Sequence, residues 1–200
     1  MEDFEEILED EEPKEGIKNI PWEEREKIGF FNALYMTIKD AIFKPGDFFR
    51  KIKPGSIKNA GLYALIIAII VYLVNLSWIA KRIELNYILL IPLISLAFFF
   101  ILETGLLHLG LLLLSPNKAG FTTTFKVVAY SESVLVFSIV PIIGGVISSI
   151  WGLVITIIGL SKAHNITIKK ALFSVLFSIV VTSIILAISA IFYVKEVVNE

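Results

Sequence analysis

The chain has 200 residues, 56% of them hydrophobic and only 18% charged, with a mean hydropathy of +0.80 and a net charge of −1. A soluble domain covers its surface with roughly a quarter of its residues charged. Here 24 of the 37 charged residues fall before Ala60, which excludes an ordinary soluble globule. Cysteine is absent, so disulfides, thiolate metal sites and a cysteine nucleophile are excluded as well, and nothing argues for a nucleic-acid partner.

Residues 1–20 begin MEDFEEILEDEEPKE, nine acids and one lysine in 15 residues. Like charge at that density predicts a disordered acidic tail. Phe4, Ile7 and Leu8 fall at helical spacing, so a cytoplasmic protein partner could fold this piece into a short amphipathic turn. These first 15 residues are the opposite of a signal peptide's basic n-region, so the first apolar span is expected to stay in the mature protein and act as its own insertion signal.

Residues 21–58 form a second region. Over 24–43, Ile28, Phe31, Leu34 or Tyr35, Ile38 and Ile42 recur every three to four positions. That period predicts an amphipathic helix, lying flat in the headgroup layer or packed on the cytoplasmic face of a bundle. Pro45-Gly46 ends it, and Asp47 caps a short turn through Phe48, Phe49 and Ile52. Trp22, Phe48 and Phe49 are expected at the membrane interface. Beside them Arg50, Lys51 and Lys53 would hold anionic headgroups at about 1 kcal/mol each, or simply fix topology.

Residues 59–195 read as a transmembrane domain, since about 20 apolar residues cross the hydrocarbon core. The expected spans are 60–79, 88–114, 121–142, 145–160 and 171–194. Residues 121–160 are too long for one crossing, and Pro141, Gly144 and Gly145 suit a reversal in their middle. With five spans and a cytoplasmic N-terminus, eleven membrane-proximal lysines and arginines lie inside and three outside; fusing the third and fourth spans gives nine and five. The positive-inside rule therefore favours five spans, with the C-terminus outside. Lys126 is expected to snorkel from the first turns of the third span.

Glu103 and His108 stand out in the apolar run LAFFFILETGLLHLGLL. In the five-span arrangement Glu103 and Glu132 each lie about 16 Å from the cytoplasmic end of neighbouring antiparallel helices. His108 and Lys126 form a second matched level. Carboxylates at that depth cost several kcal/mol unless paired or hydrated. One reading is a proton- or cation-coupled site using Glu103 and Glu132, with His108, Tyr130, Ser131 and Ser133 nearby. The other is a protonated, hydrogen-bonded pin between helices, and it is preferred because no internal repeat is visible. No metal-ligand motif, phosphate loop or catalytic constellation appears, so neither an enzyme nor a cofactor is expected.

The order of features resembles the Yip1 domain family. The segment PWEEREKIGFFNALYMTIKDAIFKPGDFFRKI (21–52) is similar to that family's pre-membrane segment, with a Trp after Pro, a helix and a KPxxFF turn containing Pro45. In residues 123–172 the shared elements are Tyr130, Pro141, Gly144, Trp151, Gly159, His164 and Lys170-Ala171. Members often carry a proline just after the tyrosine; this chain has Ser131-Glu132-Ser133, which predicts an unkinked third span. The resemblance covers about 21–190 and implies an all-α, five-span membrane bundle with an N-terminal interfacial helix. In eukaryotic relatives it implies links to Rab GTPases and membrane shaping. A composition rich in Ile and Lys and free of Cys points to a prokaryotic-type member, so Rab binding is not carried over. The expectation is a multi-pass cell-membrane protein, non-enzymatic, that organises the bilayer or recruits a partner, with homo-oligomerisation left open.

Overall fold

The computed structural model describes residues 19–79, 91–115 and 120–199. The acidic tail, the expected outer cations Lys81 and Arg82, and Lys118 lie outside the described residues. Among the described residues every regular element is an α- or 3-10 helix.

The chain enters through a 3-10 turn, Pro21–Glu24, and a single helical turn α1 (Arg25–Ile28). The helix expected over 24–43 is interrupted at Gly29, whose φ of 85° is open to glycine and costly for other residues. The longer piece α2 (Phe30–Phe43) follows, then α3 (Pro45–Arg50), with Pro45 in its first turn. The face α2 buries keeps part of the expected stripe: Ile42 is buried and Leu34 and Ile38 pack against the core. Ala33, Thr37 and Ala41 are buried with them, whereas Phe31 is 83% and Tyr35 63% exposed. Small residues at i, i+4 and i+8 let this helix approach its neighbours closely, and the large rings turn away.

Among the described residues, four helices contain stretches long and apolar enough to cross a membrane: Lys58–Leu76, Ala97–Leu114, Ile143–Ala163 and Ile168–Lys195. They belong to α4 (Lys58–Ile79), α5 (Ile91–Leu114), α7 (Ile143–Ala163) and α8 (Ile168–Asn199). Rows such as Leu65, Ile69 and Leu73 on α4, or Leu176, Ile179 and Val180 on α8, are exposed, as lipid-facing surfaces require.

Between α5 and α7 lies the most enclosed part of the molecule. Helix α6 (Phe121–Ser131) continues as a 3-10 segment, Glu132–Ile139. The unkinked α-helix expected here is corrected: the chain tightens at Glu132. Hydroxyls fit that tightening, since Ser133 Oγ donates to the Tyr130 carbonyl at 2.6 Å and Ser138 Oγ to that of Leu135 at 2.6 Å, both three residues back. From Thr123 to Val134 all but Phe125 and Glu132 are buried, because α4, α5, α7 and α2 all pack around this stretch.

Its partner α7 runs antiparallel. Ser148 Oγ donates to the Val134 carbonyl at 2.9 Å. A Cβ on Gly144 would collide with the Phe137 carbonyl oxygen, and one on Gly159 would sit 2.7 Å from Val127 Cγ1. The reversal expected at Pro141–Gly145 is present, and Ile142 takes a positive φ of 66° to make it. Helices α5 and α8 pair in the same antiparallel sense. Ser174 Oγ donates to the Leu107 carbonyl, and Lys170 Nζ to the Leu114 carbonyl at 3.0 Å.

Candidate functional site

Three polar clusters sit inside this apolar bundle. The first fastens the N-terminal segment. Trp22 is fully buried; its backbone N–H donates to Thr37 Oγ1 at 2.9 Å and its indole Nε1 to the Asn59 carbonyl at 2.7 Å. Its ring packs edge-on to Tyr63 at 5.7 Å, and Tyr63 in turn lies 5.2 Å from Tyr130. Phe48 lies 5.6 Å from Tyr130, with Phe49 beside it and both buried. Trp22, Phe48 and Phe49 are therefore enclosed by protein, not spread at an interface as the sequence suggested. Fully burying rings of this size contributes about 2–3 kcal/mol each, which explains why the turn folds inward.

Lys126 belongs to the same cluster. It is buried rather than snorkelling, and its ammonium donates to the Lys53 carbonyl at 3.0 Å and lies 3.4 Å from Glu23 Oε1. The Tyr130 hydroxyl donates to the same Glu23 oxygen at 3.3 Å, and Tyr63 OH shares a 2.7 Å hydrogen bond with Ser133 Oγ. Glu23 thus tethers the entering chain to the central segment. Its role was missed in the sequence, where it looks like one more acid among many. Of the basic residues, Arg50 is exposed and pairs with Asp47 at 2.9 Å, while Lys53 donates to Asn19 Oδ1 at 3.0 Å. Lys51 is half-buried.

The second cluster joins the two histidines. Thr124 Oγ1 lies 3.1 Å from His108 Nδ1 and 3.1 Å from His164 Nε2. His108 is thereby matched to Thr124, one helical face from the Lys126 level at which the sequence placed it. A hydroxyl has one proton to give and two lone pairs to accept with, so Thr124 can serve both rings only if one imidazole donates to it. His164 is buried at the end of α7, and the shared hydroxyl ties α5, α6 and that end together.

The third cluster is a cavity of about 200 Å³ between α5, the start of the 3-10 segment, α7 and α8. Glu103 and Glu132 both line it, joined by Ser131, Ser148, Ser149, Thr156 and Ser178. Ser131 is 6% exposed and its hydroxyl has no hydrogen-bond partner. Glu132 also borders a larger apolar groove of about 350 Å³ between α4 and α5, lined by Gly61, Ala64, Ala68 and Phe100 among others. The carboxylates are thus separated from the Lys126 and His108 groups, which use other partners.

The remaining pattern residues are packing and turn positions. Trp151 Nε1 donates to the Ile42 carbonyl at 3.2 Å, holding the end of α2 against α7. Gly159 admits Phe49 and Val127 together, and Pro141 and Gly144 form the reversal. Among the described residues no three acidic or imidazole side chains converge as metal ligands.

No curated protein and no solved structure matches the chain. The Yip1 domain model matches residues 39–191. The match runs from the last turn of α2 into α8, includes all of the polar cavity, and starts after the Trp22–Glu23 anchor. With most of its length matched and four apolar helices of spanning length, this chain belongs to the Yip1 domain family of multi-pass membrane proteins.

Proposed function

We propose that this protein is a non-enzymatic organiser of the cell membrane that seats a rigid aromatic helix in the cytoplasmic leaflet, with its acidic N-terminal stretch available to recruit a partner. One observation carries the reading. Helix α2 is clamped to the bundle by Trp22, Thr37 and Trp151, yet Phe31, Tyr35 and Phe43 stand exposed four and eight residues apart on its outer side. Lys39 completes the row, its ammonium 5.9 Å from the Tyr35 ring centre. Aromatic rings beside a lysine are the composition favoured where acyl chains meet headgroups.

Five crossings, a cytoplasmic N-terminus and an external C-terminus form part of this reading. Helix α6 and its 3-10 continuation extend about 32 Å together, against a core of about 30 Å. They lie antiparallel to α7 from Gly159 to Gly144, as a crossing segment would.

The test is reconstitution of the full chain into vesicles containing anionic lipid. At fixed protein-to-lipid ratio the parent should shift vesicle diameters, and the triple variant Phe31→Ser, Tyr35→Ser, Phe43→Ser should leave them like protein-free vesicles. Equal diameters for parent and variant remove the proposal.

The cavity favours a second reading, a small proton- or cation-coupled transporter using Glu103 and Glu132. Its measure is pH- or cation-driven flux in the same vesicles, which Glu103→Gln with Glu132→Gln should abolish. A parent without flux ends that reading.

A further inference from the structure

We propose that the cavity between α5, the 3-10 segment, α7 and α8 binds one hydrated hard divalent cation, of the magnesium class, between Glu103 and Glu132. The inference shares its residues with the transport reading but concerns occupancy, not movement, and it is independent of the α2 surface.

Every polar side chain lining the cavity ends in oxygen: two carboxylates and the hydroxyls of Ser131, Ser148, Ser149, Thr156 and Ser178. An all-oxygen set selects hard cations over zinc or copper. Lysine and arginine do not line the cavity, and the buried ammonium of Lys126 is committed to Glu23 and the Lys53 carbonyl. With both carboxylates ionised, one divalent ion balances the two charges and a monovalent ion does not.

The volume and ligand count narrow the choice. At about 30 Å³ of liquid volume per water, a 200 Å³ cavity has room for an ion that keeps much of its shell. Two carboxylates without a third acidic ligand are too few to replace that shell. Magnesium retains several waters and is commonly held by one or two carboxylates, whereas calcium takes six to eight oxygens. The independent pointer is Ser131. Its hydroxyl is buried, unpartnered and placed on the cavity wall, where an ion-bound water would satisfy it.

The experiment uses the full chain, purified in detergent, stripped with chelator and titrated with Mn²⁺ as the spectroscopic probe, with Mg²⁺, Ca²⁺ and Na⁺ as competitors. One saturable Mn²⁺ site displaced by Mg²⁺ is expected. Glu103→Gln or Glu132→Gln should weaken it by about tenfold or more, since even outer-shell changes cost metal sites 10–100-fold. Weak binding by the acidic N-terminal stretch should survive in the double variant and serves as background. A second measurement avoids the carboxylate variants. With Gly145→Cys carrying a nitroxide, bound Mn²⁺ should broaden the label's signal strongly, and a label on Ser56→Cys should be little affected. Binding equal in parent and double variant, displacement by Na⁺ as readily as by Mg²⁺, or equal broadening at both labels overturns the proposal. Cation binding without flux upholds it while ending the transport reading.

Discussion

At Gly144 the reversal before α7 leaves no room for a methyl group, whereas a Cβ on the adjacent Gly145 meets nothing within 4 Å. Gly144→Ala should therefore destabilise by about 1–3 kcal/mol through overpacking. Gly145→Ala should be neutral or slightly stabilising, because alanine favours helix by about 1 kcal/mol over glycine. Thermal unfolding of the two variants in detergent checks the contrast, and equal melting temperatures would refute it. Lys126 supplies a second residue-scale prediction. Truncating it leaves Glu23 without its ammonium and the Lys53 carbonyl without a donor. Lys126→Ala should cost about 1–3 kcal/mol, discounted because Glu23 is partly exposed. In a cycle with Glu23→Gln the two losses should be less than additive, and strict additivity would show that the pair is not coupled. The sequence marked Gly144 and Lys126 as unusual, but not their neighbours, since neither Phe137 nor Glu23 carries a local signal.

The N-terminal element shows how far periodicity alone reaches. Of the stripe Ile28, Phe31, Leu34 or Tyr35, Ile38 and Ile42, the aliphatic members Ile28, Leu34, Ile38 and Ile42 pack on the core, whereas Phe31 and Tyr35 face outward. Spacing did not single out Ala33, Thr37 and Ala41, the small residues that complete the inward face, because close approach between helices rewards small side chains. The anchoring of this element depends on Trp22, whose side chain fills a closed site between Asn59 and Tyr63. Trp22→Ala should cost about 3–5 kcal/mol and release residues 19–50 from the bundle. Limited proteolysis should then cut within 21–50 at least tenfold faster, given 1.4 kcal/mol per decade. Unchanged protection would mean that Phe48 and Phe49 hold the element alone. The central element carries a different lesson. Ser131-Glu132-Ser133 removes the family's proline, but the helix still tightens there because Ser133 bonds the Tyr130 carbonyl.

For the molecule as a whole, the number of crossings fixes where the ends lie. The chain has no cysteine, so single introduced thiols report sidedness without background. With five crossings, Ser56→Cys and Lys195→Cys should react with a membrane-impermeant maleimide from opposite sides of sealed vesicles. Reaction from the same side would mean that α6 and the 3-10 segment do not cross. The sequence by itself determined that the chain is helical, apolar and membrane-borne, and where it reverses, because apolar run length and Pro–Gly punctuation are local properties. Rise per residue also led to the expectation of Glu103 and Glu132 as neighbours, and both line one cavity. Only the tertiary structure decided which way each side chain faces. It turned Trp22, Phe48 and Phe49 inward, gave Lys126 to Glu23, joined two histidines through Thr124, and set both carboxylates and an unpartnered serine around one cavity. The reason is that in an apolar chain hydrophobicity no longer separates inside from outside, so fit between helices and the pairing of scarce polar groups settle the arrangement.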